Sequence, residues 1–151
     1  MRIRQLVYSS SQVFHFDGLA LVSLLYRTRE RNAALGITGV LFYANGMFVQ
    51  CLEGPPEHVE ALYARIQADR RHDSLVLLQS IDTDWRHFPR WTMGCAKVPD
   101  FQALQLVRAE WEQDLTALDA GAPHSPGFML MKSLWDTYKD YGFMDFPDKP
   151  D

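Results

Sequence analysis

Alternating hydrophobic and polar positions predict five β-strands, because successive side chains of a strand point to opposite faces. The strands are expected at residues 2–9, 37–43, 47–54, 74–84 and 91–98. The tripeptide Ala44–Asn45–Gly46 separates the second strand from the third and predicts a hairpin turn. The fourth strand is largely apolar, so we expect it in the centre of the sheet.

Hydrophobic residues at three- and four-residue spacing predict two helices between these strands, at residues 18–34 and 55–72. Asp17 is the expected N-cap of the first helix and Gly36 its terminator. The inward stripe of the first helix consists of Leu21, Leu24, Leu25, Thr28, Arg31 and Asn32. The second helix has a proline-led start, and its stripe consists of Val59, Leu62, Tyr63 and Ile66.

The element order β-α-β-β-α-β-β predicts an α/β (α+β) fold, a ferredoxin-like sandwich with two helices on one face of a five-stranded mixed sheet. Two more helices are expected at residues 100–118 and 125–143, joined by a link rich in Gly and Pro. Ser125 is the expected N-cap of the last helix. These helices need an apolar surface, which the other face of the sheet supplies. We therefore predict a domain over residues 1–98 and a helical extension over 99–151.

The composition and net charge limit the kinds of partner and cofactor that the protein is expected to bind. The net charge is −4 and the pI is about 5.7, which does not favour direct nucleic-acid binding. Cys51 and Cys95 lie in apolar strands and are expected to be reduced thiols. No signal peptide or bilayer-length apolar run is visible in the sequence, so we expect a cytoplasmic protein without a membrane partner. The five histidines lack zinc-ligand spacing, and no metal is expected.

Polar side chains occur on strand and helix faces that should be buried. Tyr8 shares the face of Leu6 on the first strand, and Gln50 lies between Phe48 and Leu52 on the third. The first and third strands are neighbours in a ferredoxin-like sheet, so a phenol and an amide are expected side by side. Asn32 faces the same slot from the first helix, and the three groups suit a planar ligand with a hydrogen-bonding edge.

The ends of the two helices extend this predicted site. Leu24, Leu25 and Ile66 are expected to hold the two faces of the ligand. Arg65, Asp69 and His72 follow at the end of the second helix, where a polar or phosphate-bearing tail would leave. No serine is expected to act as a nucleophile with a plausible base, and no glycine-rich phosphate loop is present.

Each of these residues also has an ordinary structural interpretation. A half-exposed strand tyrosine is common, a glutamine often bonds a backbone carbonyl, and an asparagine often ends a helix. Trp91 and Met93 on the fifth strand are core residues by default. Only the joint occurrence of these residues in one order favours a binding site.

That joint order resembles the BLUF domain, the flavin-binding module of blue-light sensors. The matching stretches are RQLVYSS with Tyr8, RTRERNAALGITGVLFYANGMFVQCLEG with Asn32 and Gln50, ARIQADRRHDS, and FPRWTMG with Trp91 and Met93. The resemblance covers about residues 1–98, and the stretch from Arg27 to Gly54 is its most specific part. The C-terminal helices are similar to those of short, stand-alone members of the family.

The resemblance implies FAD as cofactor and a role for each matched residue. Gln50 would bridge Tyr8 and the flavin, and Asn32 would bind the pyrimidine edge of the ring. Light would move an electron and a proton from Tyr8, Gln50 would then rearrange, and Trp91 and Met93 would pass the change on. The full set of implied cofactor contacts is Tyr8, Leu24, Thr28, Arg31, Asn32, Phe48, Gln50, Arg65, Ile66, Asp69 and His72. Arg31 departs from the family, whose members often carry His or Asn at this position.

The resemblance implies a photoreceptor without enzymatic turnover. Its output would reach an unidentified downstream signalling protein, and homo-oligomers, from dimers to larger rings, are expected. Two alternatives remain open from the sequence. One is a small flavin-dependent reductase or an acyl-phosphate hydrolase on the same fold, and the other is a light-inert assembly domain that has lost its cofactor.

Overall fold

The structure is a computed structural model, and it describes residues 2–12, 18–44, 46–90, 92–97 and 126–138. These ranges contain five strands and three helices. In chain order they are β1 (Ile3–Gln12), α1 (Gly18–Leu35), β2 (Thr38–Ala44), β3 (Met47–Gly54), α2 (Pro56–Ala68), β4 (His72–Thr83), β5 (Gly94–Lys97) and α3 (Pro126–Tyr138).

The strands form a mixed sheet in the order β4-β1-β3-β2-β5. β4, β1, β3 and β2 are antiparallel to their neighbours, while β5 pairs parallel with β2. This arrangement follows from two strand–helix–strand crossovers, one through α1 and one through α2, that interleave on one sheet. The predicted mixed α+β architecture is confirmed, and β1 and β3 are neighbours in the middle of the sheet as expected.

The β1–β3 register determines which side chains meet. Tyr8 lies directly opposite Gln50, and Leu6 lies opposite Leu52. Because side chains alternate between faces, Tyr8, Gln50, Leu6 and Leu52 share one face. β3 is buried over its whole length, which is consistent with its position between two other strands.

The core on this face joins the sheet to the helices. Its buried members are Leu6, Tyr8, Ile37, Leu41, Phe48, Leu52, Val59, Leu62 and Met93. The predicted α2 stripe is confirmed, because Val59 and Leu62 are buried and Tyr63 and Ile66 pack against them. The opposite face is buried as well, since Phe42, Val49 and Cys51 are fully inaccessible. α3 contacts β5, and its Met131 is fully buried.

The end of α1 is fixed by Gly36, as predicted. Gly36 has a φ of 70°, a left-handed conformation that glycine adopts without a steric penalty. The Ile37 N–H donates to the Asn32 carbonyl at 2.9 Å, and the Gly36 N–H donates to the Ala33 carbonyl at 3.4 Å. This pair of bonds is a Schellman motif. It turns the chain sharply from α1 into β2.

Three predictions about the second half of the chain are wrong. β4 is an edge strand, and its Leu77 is 49% exposed. The crossover through α2 places β4 next to β1 at the edge of the sheet, and the apolar composition of β4 gave no sign of this position. α2 ends at Ala68 rather than at His72, because Asp69 adopts an extended conformation and β4 begins at His72. Met93 precedes β5 instead of lying in it.

Other predictions fall on residues that the structure does not describe. They are the Asp17 and Ser125 caps, the position of Trp91 and the helix at residues 100–118. No helix in the described ranges is long and apolar enough to cross a lipid bilayer.

Gly39 gives a test of the sheet beside the site. A Cβ atom on Gly39 would lie 1.9 Å from the Cys51 carbonyl oxygen, and its φ is 154°. We expect Gly39→Ala to lower the free energy of unfolding by about 3 kcal/mol, measured by chemical denaturation. Gly36→Ala is the control, because its Cβ atom would meet only Pro55 at 3.7 Å. It should cost about 1–2 kcal/mol, for backbone strain alone. Equal losses would contradict the close packing of β2 against β3.

Candidate functional site

A cavity lies between the sheet and the two helices α1 and α2. Its volume is about 230 Å³, and it is partly open to solvent. The sheet contributes Tyr8, Phe48 and Gln50, and α1 contributes Thr28 and Arg31. α2 and the residues after it contribute Arg65, Ile66, Asp69 and His72. The structure thus brings these nine predicted contacts together around one cavity.

Tyr8, Gln50 and Met93 form a hydrogen-bonded row at the sheet side of the cavity. The Tyr8 hydroxyl donates to Gln50 Oε1, and Gln50 Nε2 donates to Met93 Sδ at 3.2 Å. All three residues are buried. The buried Gln50 amide therefore has a partner at each end, one strong and one a weak thioether acceptor.

Burial controls the protonation of Tyr8. Desolvation raises the pKa of Tyr8 well above its ordinary value, and the nearby Tyr63 and Asp69 raise it further. The Tyr63 ring centroid lies 5.7 Å from that of Tyr8. The Tyr8 hydroxyl therefore stays protonated throughout the neutral pH range, and it donates a hydrogen bond to Gln50 Oε1.

Asn32 and Arg31 carry buried polar atoms that lack a partner within the described ranges. Asn32 is fully buried, and its Nδ2 donates to the Thr92 carbonyl at 2.8 Å. Asn32 Oδ1 and Arg31 Nε form no hydrogen bond there. Such buried groups cost about 1–3 kcal/mol each when they are left unpaired. Arg31 lines the cavity, so a ligand with a polar ring edge would satisfy its Nε, which fits a flavin; Asn32 is not among the lining residues.

The charge at the cavity wall is positive. The Asp69 carboxylate pairs with the Arg71 guanidinium, and this contact lowers the pKa of Asp69 to about 2. Burial and the charge of Arg65 lower the pKa of Arg31. Because Asp69 is already paired, Arg31 and Arg65 leave an excess of positive charge beside the cavity. This charge suits an anionic tail.

His72 is positioned by two hydrogen bonds. Its Nε2 lies 2.7 Å from the Ile66 carbonyl, and its Nδ1 lies 2.8 Å from Ser10 Oγ. A carbonyl only accepts, so Nε2 carries the proton and, in the neutral ring, Ser10 donates to Nδ1. Ser10 is only 3% exposed, and we interpret the contact as the one that orients His72.

Sequence reasoning missed several residues of the cavity wall, namely Ser10, Leu41, Leu62 and Arg71. Ser10 was missed because strand 1 was expected to end at residue 9, whereas two-residue spacing from Tyr8 places it on the same face. Arg29 was also missed. It is buried, and its Nε donates to the Met93 carbonyl at 3.0 Å. A charged residue in a helix gives no sequence signal of that contact.

Three predicted site residues cannot be placed. Trp91 and the side chains of Leu24 and Leu25 lie outside the described residues. Among the residues that are described, no group of three or more His, Cys, Asp or Glu side chains has an arrangement that could hold a metal ion.

Comparison with known proteins identifies the family. The family model of BLUF, "Sensors of blue-light using FAD", matches residues 3–94. The photoactivated adenylate cyclase subunit beta of Euglena longa is 34% identical over 122 residues, which cover 78% of this chain. The chain spans only 14% of that relative's length.

Solved structures show the same relationship. The dark-state structure of BlrB, a BLUF protein, has a TM-score of 0.64 and 29% identity over 89% of this chain and 97% of that one. A bacterial light-regulated adenylyl cyclase has a TM-score of 0.60 and 28% identity over 76% of this chain and 34% of that one. The chain therefore belongs to the BLUF family of blue-light sensors that use FAD.

Proposed function

We propose that the chain senses blue light through the row Tyr8–Gln50–Met93, with FAD bound in the cavity beside it. The observation that carries the proposal is the buried Gln50 amide, which holds Tyr8 at its oxygen and Met93 at its nitrogen. An amide with two different ends gives two different hydrogen-bond arrangements when it rearranges. A structure with two such states is suited to signalling.

The residues that line the cavity, together with Asn32, would divide the work of holding FAD. Asn32 Oδ1 and Arg31 Nε are the unpaired polar atoms that would meet the ring edge. Phe48, Ile66 and Thr28 supply apolar and small contacts along the wall, and Leu24 is proposed to join them. Arg65, with Asp69 and His72 at the same end of α2, would face the polar tail.

Bound FAD supplies absorption of blue light and an excited state that can accept an electron. Tyr8 is the proposed donor, because a phenol can release an electron and a proton together. Both would pass to the bound FAD and return to Tyr8 in the dark, so that no net oxidation remains. Its burial keeps the hydroxyl protonated until that moment. Gln50 Oε1 accepts a hydrogen bond from the Tyr8 hydroxyl. Loss of the Tyr8 proton would break this bond, which is the main interaction that holds the amide in its present orientation. The amide is then free to exchange its two ends.

Output is proposed to leave through β5. Rearrangement of Gln50 releases Met93, whose backbone continues directly into β5 at Gly94. β5 contacts α3, and Met131 of α3 is buried. We propose that α3 packs on the second face of the sheet and that Trp91 shares in the transfer. A downstream protein, in a homo-oligomeric assembly, would read the change without turnover of a substrate.

Tyr8→Phe tests the donor. We expect the variant to bind FAD but to lose the light-induced red shift of the flavin absorption band, because phenylalanine has no proton to give. Absorption spectra in darkness and after blue light measure this. Tyr63→Phe is the matched control, since its ring is next to Tyr8 but its hydroxyl is not part of the row. A normal photocycle in Tyr8→Phe would contradict the mechanism.

Gln50→Leu tests the amide. Leucine keeps the volume but removes the acceptor of Tyr8 and the donor to Met93, so the red shift should disappear while the fold remains. Far-ultraviolet circular dichroism checks the fold and absorption checks the shift. A red shift in the leucine variant would show that another group performs the switch.

Asn32→Ala tests the ring contact. We expect the dissociation constant for FAD to rise about tenfold, which corresponds to about 1.4 kcal/mol. Fluorescence titration of the apoprotein measures it. Asn32→Asp is the control, because it retains an oxygen acceptor but loses the donor to Thr92. An alanine variant with wild-type affinity would remove Asn32 from the site.

A further inference from the structure

A buried carboxylate lies on the face of the sheet that the proposed switch does not use. Glu53 follows Gln50 by three residues on β3, so their side chains point to opposite faces. Glu53 is 0% exposed, and it lies opposite Gln5 in the β1–β3 register. A buried carboxylate needs several donors to be tolerated.

Two of these donors come from the segment that joins β4 to β5, residues 84–93, which we call the connector and of which the structure describes all but residue 91. Glu53 Oε1 accepts from the Phe88 N–H at 2.7 Å. Glu53 Oε2 accepts from the His87 N–H at 2.7 Å and from Gln5 Nε2 at 2.8 Å. Hydrogen bonds to a charged acceptor are stronger than neutral ones. The carboxylate thus holds two consecutive backbone groups of the connector against β3.

Arg86 forms a second set of hydrogen bonds that holds the connector in place. Its Nη1 donates to the Glu53 carbonyl at 2.9 Å and to Thr38 Oγ1 at 2.8 Å. Its Nη2 donates to the Gly36 carbonyl at 2.8 Å. The first half of the connector is therefore attached to the ends of β3, β2 and α1.

The far end of the connector reaches the switch. Asn32 holds the Thr92 carbonyl, Arg29 holds the Met93 carbonyl, and Gln50 donates to Met93 Sδ. The connector is thus held by Glu53 and Arg86 near its start and by Asn32 and Arg29 at its end. β3 carries both the amide and the carboxylate that holds the start of the connector.

We propose that Glu53 is a positioning residue of the light switch, which sets the place of Met93 against Gln50 by holding the connector to β3. This proposal rests on the proposed function. It also gives the switch a direction. With its first half fixed by Glu53 and Arg86, the connector passes a displacement of Met93 forward into β5 and α3 rather than back into β4.

Glu53→Gln tests the proposal with little change of shape. Three donors converge on the two carboxylate oxygens, whereas a glutamine has one acceptor oxygen, so its NH₂ group must face at least one donor. With methyl-¹³C-methionine in the FAD-bound protein, we expect the dark-state Met93 resonance, assigned with Met93→Leu, to move. We also expect dark recovery of the red shift to slow about threefold or more, since the acceptor of Gln50 is misplaced.

Glu60→Gln is the matched control. Glu60 lies on α2, where its exposed carboxylate binds Arg4, and this variant should leave the Met93 resonance and dark recovery unchanged. If Glu53→Gln fails to fold, Arg86→Gln carries the test, and it should produce the same changes in smaller size.

The outcomes separate the two proposals. A wild-type protein that binds FAD but shows no red shift would overturn the proposed function. The role of Glu53 alone would be overturned by a different result. In that result the wild-type protein shows a normal red shift, and the folded Glu53 or Arg86 variant has the same Met93 resonance and recovery rate as Glu60→Gln.

Discussion

The pairing of β1 with β3 is the constraint on which the site depends. Tyr8 meets Gln50 only because the register places them directly opposite each other. A shift by one residue would move one of them to the other face of the sheet and separate phenol from amide. On the other face of the sheet, Gln5 of β1 bonds Glu53 of β3 and supports this register. On the far side of β3, Gly39 allows β2 to approach Cys51.

The site contains polar atoms that the protein alone leaves unsatisfied. Asn32 Oδ1 and Arg31 Nε are buried without a partner in the described ranges, although nearby groups such as Gln50 are fully paired. A cofactor that pairs with these atoms binds only the folded state, so it stabilises that state by mass action. If the proposed contacts form, folding and cofactor binding would be coupled for this reason.

The sequence was informative where a local pattern determines the structure. The strand alternation placed Tyr8 and Gln50 on the proper faces, and Gly36 marked the end of α1 through its left-handed conformation. The position of β4 at the edge depends on the crossover through α2, which no local pattern records. The contacts of Glu53 and Arg29 with the connector join residues more than thirty positions apart, so spacing could not predict them.

The two partners of Gln50 differ in strength, and this difference has a consequence for switching. The Tyr8 hydroxyl is a strong donor to the amide oxygen, whereas the Met93 thioether is a weak acceptor for the amide nitrogen. The orientation of the amide is consequently set mainly by the Tyr8 proton. In the proposed mechanism, removal of that proton would leave only the weak Met93 contact in favour of the present orientation, and the Tyr8 oxygen, which could then only accept, would favour the reversed amide. A stronger acceptor in place of Met93 would hold the amide in its present orientation and oppose that reversal.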